Sequence, residues 1–522
     1  MLEAPGPTRA AIGYYGPVTK PLSIAITGAS GFLGRLLVQM LRRQHRVIAL
    51  DRRPLIEAAM ADHPNLEWYQ VDLADEGLLE RTMACIRAGG GADVLIHLAA
   101  YYDFSGENHP EYERTNVDAM RSLLEHSRML DLDHFVFASS VAACRFSSPG
   151  RPITESTPPH GSHIYARTKR AGEEMLAEFA DSFTPVIVRF AAMFSDWCEY
   201  PPLQVMLDTW LSSGWDARVI AGRGRSAIPY LHVRDGAFFM KRLLERRRDL
   251  DPMEVLIAGA DGAVSHEELY RAATAYVDGR PRQPIHLPKV LCKPGIWVRD
   301  LAGRAFGGRP FERTWMADYV DRRMEIDASR TRHRLGWQPT PRLCLLERLP
   351  FLLEHRRGNP LEWYRRNREA LEHLQVTPNF RIYQLLKKYE AAIEQAVESA
   401  LEARSVAAAE PLRLSAEQRF WDHRVTLRNL IVAVRSGENE PFLNWCRDLA
   451  ERRLGEGFAV GEVVAALRII EEAIHSALQP DPDSPELEPA IRDLVDVPVQ
   501  FGIDRVLEIY EDSEIFGFER PT

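Results

Sequence analysis

A tyrosine and a lysine four positions apart, Tyr165 and Lys169, form the pair in this sequence best suited to proton transfer. They open the helical pattern YARTKRAGEEMLAEF, in which positions i and i+4 share one face. An ammonium group beside a phenol favours the phenolate, which lowers the pKa of the tyrosine toward working pH. A single Y-x-x-x-K pattern occurs often by chance. Here it follows an apolar run, HFVFASS, that ends in Ser139 and Ser140, and this combination indicates a catalytic site.

Three glycines spaced three apart, Gly28, Gly31 and Gly34, stand in IAITGASGFLG, between a strand pattern and an amphipathic helix pattern. In a dinucleotide-binding turn the first glycine permits the turn, the second admits a pyrophosphate and the third allows close helix packing. The N-terminus of the helix adds amide donors and a positive dipole end. The spacing differs from the common G-x-G-x-x-G, so a role in packing alone stays open as the alternative.

The acid at the end of the next apolar run, Asp51 in RVIALD, lies just over twenty residues past the first glycine. An acid at this position accepts hydrogen bonds from ribose hydroxyl groups, which favours NAD. Arg52 and Arg53 follow it and could hold a 2′-phosphate instead, so NADP stays open. Asp72, in VDLAD, is placed either to cap the adenine pocket or to cap a helix.

The elements that would position these residues alternate from Leu22 to about Arg189. Six short apolar runs are separated by amphipathic helical patterns, and such strands predict a parallel sheet covered on both faces. The runs are LSIAIT, RVIALD, EWYQVD, DVLIHLA, HFVFASS and PVIVRF. We therefore predict an α/β fold: a doubly wound parallel-sheet Rossmann domain with a small irregular substrate lobe, followed by an all-α C-terminal domain.

A chain of 522 residues is long enough for two or three domains. We predict a flexible arm over 1–20 and a catalytic region over 21–375, with its cofactor core at about 21–190 and its lobe mainly at 191–345. A helical linker over 376–413 and an all-helical accessory domain over 414–522 follow. The helical pattern of the last domain is clearest at Val463, Leu467, Ile470, Ile474 and Leu478.

Composition excludes several classes of function. A net charge of -9 argues against binding to nucleic acid, which needs a basic surface. The six cysteines form no C-x-x-C pair and the 16 histidines lack ligand spacing, so we expect neither a metal site nor disulfides. No apolar run approaches the ~18 residues of a membrane span. The N-terminus has no apolar signal region, and we expect a cytoplasmic location.

The chain resembles an extended short-chain dehydrogenase/reductase, the group of nucleotide-sugar epimerases, dehydratases and 3β-hydroxysteroid dehydrogenases. The resemblance covers about residues 21 to 375 and rests on motifs in family order. They are TGASGFLG, Asp51, VDLAD, LIHLAA, RTNV, FASS, YARTK, VRF, PYLHVRDGA and RLGWQP. It implies hydride transfer with NAD on an alcohol or ketone of a small molecule, in a homodimer.

By the same resemblance, Tyr165 is the general acid/base, and Lys169 tunes its pKa and binds the nicotinamide ribose. Ser140 polarises the substrate oxygen, with Ser139 as its neighbour. Asn116, in RTNV, lies near the cofactor or a proton relay, or else serves as a helix cap or packing residue. Together with Tyr165 and Lys169, the residues expected to line NAD are Gly28, Ser30, Gly31, Phe32, Leu33, Gly34, Asp51, Arg52, Asp72, Leu73 and the four residues of the segment His97–Ala100, namely His97, Leu98, Ala99 and Ala100.

The substrate class is less constrained. Many sugar-active members carry V-Y-G after the serine, but this chain has Ala143, Cys144 and Arg145, which weakens a nucleotide-sugar assignment. Aromatic residues and the stretch HLPKVLCKPGIWVRDLAGRAF are consistent with an apolar substrate mouth, with peripheral membrane contact, or with an ordinary lid. The aromatic residues are Phe194, Trp197, Trp210, Trp215, Phe306, Phe311 and Trp315. We expect a sterol- or lipid-like alcohol or ketone, with a nucleotide sugar as the alternative.

The C-terminal helices are not part of this family's usual architecture. The segment from Phe442 to Leu478 faintly resembles the helical N-terminal domain of stressosome co-antagonist proteins, which implies a sensory role with a protein partner. A plain oligomerisation bundle is the alternative. An NAD(H)-sensing regulator is therefore a second hypothesis for the whole chain. Ser140, Tyr165 and Lys169 favour the enzyme, because a sensor needs no proton-transfer pair.

Overall fold

The structure is a computed structural model and describes residues 20–58, 60–104, 108–214, 216–306, 311–374, 378–407, 416–436, 439–481 and 484–516. The chain forms two compact units, residues 1–375 and residues 376–522. Residues 1–19, where the flexible arm is predicted, and Trp215 lie outside the described residues.

A parallel sheet of seven strands forms the centre of the first unit. The strands are β1 Ser23–Thr27, β2 Arg46–Asp51, β3 Leu66–Gln70, β4 Val94–His97, β5 His134–Ser140, β6 Thr184–Phe190 and β7 Glu254–Ala258. Their order is β7-β6-β5-β4-β1-β2-β3. The six predicted strands are confirmed. The order reverses direction between β1 and β4, which is where such sheets bind ligands.

Helices cover both faces of this sheet. Those of the first unit are α1 Phe32–Leu41, α2 Glu76–Ala88, α3 Ala119–Ser127, α4 Ile164–Ala177, α5 Pro201–Trp210, α6 Val233–Arg246, α7 His266–Asp278, α8 Lys289–Phe306, α9 Ser329–Leu335, α10 Leu345–Gly358 and α11 Pro360–Leu374. A short turn, Glu111–Glu113, and a π-helical turn, Arg114–Asp118, lead into α3. Helices α1 and α6 pack on one face, and α2, α3 and α4 pack on the other. The doubly wound Rossmann fold is confirmed.

One part of the sheet lies where the sequence analysis expects only the lobe. Strand β7 pairs in parallel with β6, with Glu254 opposite Val186, and α6 packs on the sheet through Phe239 and Leu243. The core therefore extends past residue 190. The chain leaves the sheet after β6 and returns about sixty residues later, so local pattern alone does not reveal the pairing.

The rest of the lobe has a core of its own. Phe194, Leu207, Tyr270 and Leu352 are buried together, and Trp363 of α11 joins them. Three two-stranded ladders stiffen the region. They pair Ala192–Phe194 with Tyr230–His232, Val219–Ala221 with Ile285–Leu287, and Ala227–Ile228 with Val264–Ser265. This lobe faces the carboxyl ends of the strands.

The second unit is helical throughout its described residues. Its helices are α12 Pro378–Lys388, α13 Glu390–Ala407, α14 Ala416–Ser436, α15 Glu440–Gly455, α16 Val460–Leu478, α17 Ser484–Ile491 and α18 Val497–Phe516, with a π-helical turn at Arg492–Asp496. The predicted stripe from Val463 to Leu478 is buried in one apolar core. Ile382 and Ile393 join that core, so α12 and α13, in the predicted linker, pack as part of the bundle.

Among the described residues, no helix is long and apolar enough to cross a membrane. Nor do any three His, Cys, Asp or Glu side chains in that part of the chain come together as a metal site. The six cysteines are free thiols.

Candidate active site

A cleft of about 2530 Å³ opens at the carboxyl ends of the strands, over the reversal between β1 and β4. Sites for one small molecule occupy roughly 300–1,000 Å³, so this cleft has room for a dinucleotide and a substrate. All the residues predicted for the cofactor line it, apart from His97. They are Gly28, Ser30, Gly31, Phe32, Leu33, Gly34, Asp51, Arg52, Asp72, Leu73, Leu98, Ala99, Ala100, Tyr165 and Lys169.

The glycine turn is shaped by close backbone approaches. Gly28 has φ +67°, and a Cβ there would lie 2.8 Å from the amide nitrogen of Ala99. A Cβ on Gly34 would lie 2.2 Å from the carbonyl oxygen of Gly28, so only glycine lets α1 begin this close to the turn. A Cβ on Gly31 would lie 3.0 Å from the carbonyl oxygen of Gly28, which is also a tight approach. Gly31 lines the cleft at the start of α1, where a pyrophosphate would lie.

Asp51 ties the second strand to this turn. Its carboxylate accepts hydrogen bonds from the backbone N–H of Ser30 at 2.8 Å and of Arg53 at 3.0 Å. The side chain is held at the rim of the cleft at the point where an acid meets the adenosine ribose. Arg52 and Arg53 line the same rim.

Asp72 is held by a neighbouring arginine. Its carboxylate accepts from Arg114 Nη2 at 2.6 Å and from the backbone N–H of Ala74 at 3.1 Å. The helix that follows is capped by Asp75, which accepts from the N–H of Leu78 at 3.0 Å. Asp72 is therefore a residue of the cleft wall, and the helix-cap alternative applies to its neighbour.

The two serines at the end of β5 have separate partners. Ser139 donates to Glu173 Oε1 at 2.5 Å, and Glu173 forms a buried ion pair with Arg189 at 2.7 Å. The hydroxyl of Ser140 accepts the N–H of Ala142 at 3.2 Å, and Ser140 lines the cleft. Both serines line the cleft, but the hydroxyl group of Ser139 is engaged with Glu173. Side chains alternate along a strand, and it is the hydroxyl group of Ser140 that can serve a substrate.

Tyr165 and Lys169 lie on the inner face of α4, as predicted. The Lys169 ammonium lies 5.6 Å from the centre of the Tyr165 ring and donates to the carbonyl oxygen of Ala138 at 2.7 Å. Burial lowers the pKa of Lys169 to about 8, and the negative charge of Glu173 opposes that shift. The ammonium group of Lys169 therefore lies near the ring of Tyr165, and its hydrogen bond goes to Ala138 and not to the tyrosine hydroxyl group.

The pKa of Tyr165 differs from the sequence-based expectation. Burial raises it above its usual value, and nearby Tyr112 and Tyr200 act in the same direction. The reason is that the protein around the ring solvates a phenolate poorly. The ammonium group of Lys169 donates its hydrogen bond to the carbonyl oxygen of Ala138 instead of to the phenol. Tyr165 is accordingly protonated at neutral pH.

Two residues predicted near the cofactor do not line the cleft. Asn116 lies in the π-helical turn, and its side-chain amide is buried. Its Oδ1 accepts the backbone N–H of Tyr101 at 2.7 Å, and its Nδ2 donates to the carbonyl oxygen of Tyr101 at 2.8 Å and to Thr168 Oγ1 at 3.1 Å. It joins the strand-end loop to α4, a packing role. His97 is fully buried and bonded to Thr27 Oγ1 at 2.8 Å, and burial lowers its pKa to about 3.

Two neighbours of Tyr165 are not among the residues predicted from the sequence. Tyr102, just past the LIHLAA motif, places its ring centre 4.4 Å from that of Tyr165. His163 caps α4, with its Nδ1 accepting the N–H of Tyr165 at 3.1 Å. Burial lowers the pKa of His163 to about 4, so its ring is neutral and its proton lies on Nε2. Histidine is not among the preferred helix caps, so no sequence signal marked it.

The half of the cleft beyond Tyr165 is rich in aromatic rings. Phe104 contacts Tyr102 and Phe311 with ring centres 4.6 and 5.4 Å apart. The aromatic residues of this half are Tyr102, Phe104, Phe146, Tyr200, Trp210, Phe311, Trp315 and Tyr319. Of the aromatic residues named from the sequence, Phe311, Trp315 and Trp210 line the cleft, whereas Phe194 is in the lobe core and Trp197 stacks on His355.

A strained loop forms one wall of this half. Cys198 and Glu199 have φ values of +73° and +51°, a backbone conformation that residues other than glycine rarely adopt. The amide of Asn367 holds them there, since its Oδ1 accepts from the N–H of Glu199 and its Nδ2 donates to the carbonyl of Trp197, both at 2.8 Å. Such strain is typical of ligand-binding loops, and Glu199 lines the cleft.

Comparison with known proteins agrees with this geometry. Residues 24–259 match the NAD dependent epimerase/dehydratase family. A uronate dehydrogenase of Pseudomonas syringae is 26% identical over 192 residues, which is 36% of this chain and 64% of that protein. A decarboxylating sterol-4-alpha-carboxylate 3-dehydrogenase of Dictyostelium discoideum is 20% identical over 329 residues, 60% of this chain and 95% of that protein.

The crystal structure of a UDP-glucose 4-epimerase from Thermotoga maritima matches with a TM-score of 0.50 and 21% identity, covering 65% of this chain and 100% of that one. The likeness shows the fold. The chain spans 50% and 64% of the length of the first two curated relatives. The matched family is NAD-dependent, and the cleft fits NAD. Residues 24–259, which are less than half of the chain, thus match the NAD dependent epimerase/dehydratase family, and this match fits an extended short-chain dehydrogenase/reductase.

Proposed function

We propose that the chain is an oxidoreductase that moves a hydride between NAD and the alcohol or ketone carbon of a hydrophobic small molecule. One observation carries this proposal: Tyr165 and Ser140 line the same cleft as the glycine turn, with Lys169 directly under the tyrosine. A cofactor seat and a proton-transfer pair in one cleft are what a dehydrogenase requires.

The residues that would hold NAD follow from their placement. The turn at Gly28 and Gly31 and the first amides of α1 would bind the pyrophosphate, and Asp51 the adenosine ribose. Lys169 would reach the nicotinamide ribose. When bound, NAD supplies the hydride acceptor or donor.

The protein's own residues handle the proton. The Tyr165 hydroxyl group gives a proton to the substrate oxygen as a ketone becomes an alcohol, and takes it back in the reverse direction. Its raised pKa keeps it protonated and suits the reduction. Ser140 donates a second hydrogen bond to the same oxygen and stabilises the negative charge that develops there.

A hydrophobic substrate is supported by the aromatic half of the cleft, where Phe104, Phe311 and Trp315 face the space beyond Tyr165. The charged side chain of Arg299 in this half is balanced by Asp216 and Glu312, each 3.6 Å away. The sterol dehydrogenase relative, which aligns over 95% of its length, points in the same direction.

A nucleotide sugar is the second candidate, with epimerisation or dehydration as the net reaction. The matched family and the UDP-glucose epimerase fold neighbour favour it. The two candidates are separated by the mass of any small molecule that co-purifies with the protein: a sterol-like or lipid-like ligand supports the first, and a sugar nucleotide supports the second.

The test of catalysis is Tyr165→Phe. The variant should bind NADH with the wild-type affinity and lose turnover by at least about a hundredfold, because general acid/base catalysis contributes ~10²–10⁴. Tyr364→Phe, at a tyrosine 62% exposed on α11, is the control and should be fully active. Undiminished turnover in Tyr165→Phe would refute the assignment.

An NAD(H) sensor with the helical unit as its output is the candidate of another class. It would bind NADH but oxidise it with no carbonyl compound and reduce NAD⁺ with no alcohol. A homodimer, a cytoplasmic location and a protein partner for the helical unit are further expectations of this proposal, to be checked by sedimentation, fractionation and affinity capture.

A further inference from the structure

His163 lines the cleft beside Tyr165, and the proposed reaction leaves one of its ring nitrogens without a role. The ring centres of the two residues are 6.1 Å apart. Nδ1 of His163 accepts the backbone N–H of Tyr165 at 3.1 Å, so the proton of the neutral ring lies on Nε2. Burial lowers the pKa of His163 to about 4, and the charge of Arg167 acts in the same direction, so this tautomer is kept at neutral pH.

The Nε2–H group of His163 is available to a ligand. In the part of the chain that the structure describes, Nε2 has no hydrogen-bond partner, yet it is not sealed in the interior. The two nitrogens of an imidazole point in nearly opposite directions, so Nε2 points away from the start of α4. The half-buried ring borders the cleft on that side. A ligand that covers this donor without offering an acceptor leaves it unsatisfied, which is costly.

Neighbouring segments hold the ring in place. Gly161 donates its backbone N–H to the carbonyl oxygen of Ala143 at 2.7 Å, three residues past Ser140, and the space at Gly161 is too small for a Cβ. On the other side, the centre of the Trp315 ring lies 5.6 Å from that of His163. The donor is therefore positioned before a ligand arrives, as a specific hydrogen bond requires.

The helix cap alone does not explain a histidine at this position. His163 has φ -80° and ψ 159°, an extended conformation open to most residues. Serine, threonine, aspartate and asparagine accept the same N–H and are the preferred caps. What the imidazole adds is its second nitrogen, which a serine at this position would lack.

We propose that His163 determines specificity by donating a hydrogen bond from Nε2 to a second oxygen of the substrate, close to the carbon that reacts. Tyr165 and Ser140 contact the reacting oxygen, so a donor beside Tyr165 meets an oxygen on the adjacent carbon or the next one. The substrate class is then a hydrophobic ketone or alcohol with a hydroxyl, ether or carbonyl oxygen at that place. This inference rests on the proposed function, because it takes the reacting oxygen to lie at Tyr165.

The test compares isosteric ketones that differ by one oxygen. α-Methoxyacetophenone differs from butyrophenone only in an ether oxygen, attached to the carbon next to the carbonyl, that replaces a methylene group. β-Methoxypropiophenone and valerophenone differ in the same way one carbon further on. Binding to the full chain loaded with NAD⁺ is measured by calorimetry, because the oxidised cofactor cannot reduce a ketone. The ratio of the two dissociation constants in a pair reports the contribution of the oxygen.

Removal of the imidazole should shift this ratio. In at least one pair, His163→Ser should favour the hydrocarbon over the ether by about three- to tenfold relative to the wild type, the range of one net hydrogen bond. Serine keeps an acceptor for the N–H of Tyr165, so the variant loses the donor and retains the cap. His333→Ser, at an exposed histidine of α9 outside the cleft, is the matched control and should keep the wild-type ratio.

Two results would overturn the proposal. Equal ratios in the wild type and His163→Ser for both pairs would leave the histidine a helix cap, even if the variant melts at a lower temperature. Failure of all four ketones to bind would show that the cleft does not take this class of substrate. Reduction of the same ketones by NADH is followed separately. Turnover with an unshifted ratio contradicts this inference alone, whereas a shifted ratio without turnover contradicts the proposed reaction alone.

Discussion

Ser139 and Ser140 are adjacent on β5, yet only one hydroxyl group serves the cleft. Both residues line the cleft, but Ser139 donates to Glu173, which is paired with Arg189, while the hydroxyl group of Ser140 accepts the backbone N–H of Ala142. The buried pair fixes β5, β6 and α4 to one another, and the half-buried hydroxyl group of Ser140 is left for the substrate. Chemistry and stability are thus carried by neighbouring residues of the same type.

This division predicts opposite effects of two alanine substitutions. Ser140→Ala should lower kcat by roughly 10²–10³, the loss typical of one missing donor to a developing oxyanion, with little change in stability. Ser139→Ala should keep kcat within a few-fold but lower the free energy of unfolding by about 1.5–3 kcal/mol, because a hydrogen bond to a buried charge is lost. Steady-state kinetics and urea unfolding of both variants measure the contrast. The same loss of activity in both would contradict it.

Lys169 predicts a pH dependence of stability in the cofactor-free protein. Its pKa is lowered to about 8 in the folded state by burial, against about 10.4 in an unfolded chain. Between these values the unfolded chain binds more protons, so the stability of the wild type should rise with pH relative to that of Lys169→Met. Tyr165 has a raised pKa in the folded state and begins to titrate in the unfolded chain near pH ~10, but both proteins carry it, so its contribution cancels in this comparison.

Urea unfolding of wild type and Lys169→Met at about pH 7.5 and about pH 10 measures this difference. The wild type should gain on the variant at the higher pH, and parallel behaviour of the two proteins would show that the lysine is not desolvated. Turnover should fall strongly in Lys169→Met at every pH, which separates the activity of the lysine from its stability penalty.

Much of this site could be predicted from sequence because its signals are local. The turn at Gly28 and the pair Tyr165 and Lys169 each lie within a few residues of one strand–helix junction, where spacing fixes geometry. Burial and long-range pairing were not predictable in this way. Strand β7 returns from the lobe, and the pKa of Tyr165 depends on burial and on Tyr112 and Tyr200 from two other segments. Asn116 shows the same limit, since its partners Tyr101 and Thr168 are 15 and 52 residues away.

Asp51 predicts the choice between the two nicotinamide cofactors. A carboxylate at this rim hydrogen-bonds a ribose and repels a 2′-phosphate, so NADH should bind at least about tenfold more tightly than NADPH. Asp51→Asn keeps an oxygen that can accept the N–H of Ser30 but removes the charge, and should reduce that preference. Fluorescence titration with both cofactors measures it, with the exposed Glu80→Gln as control. Tighter NADPH binding by the wild type would mean that Arg52 and Arg53 govern the site instead.

The close contacts around Gly502 indicate that helices of the second unit are tightly packed there. A Cβ at this position of α18 would lie 2.8 Å from Cys446 Sγ and 3.0 Å from Phe442 Cε1, both on α15 and both fully buried. Gly502→Val should therefore destabilise the unit by about 1–3 kcal/mol, the cost typical of overpacking. Helix propensity alone would act the other way, since valine is a better helix former than glycine.

Gly461→Val provides the control, because a Cβ at that exposed position of α16 meets nothing within 4 Å. It should match or exceed the wild-type stability, as helix propensity predicts. Thermal unfolding followed by circular dichroism compares the two variants. An equal melting temperature for Gly502→Val and Gly461→Val would contradict the prediction. It would mean that α15 and α18 can move apart without cost, so that the packing at Cys446 does not limit the stability of the bundle.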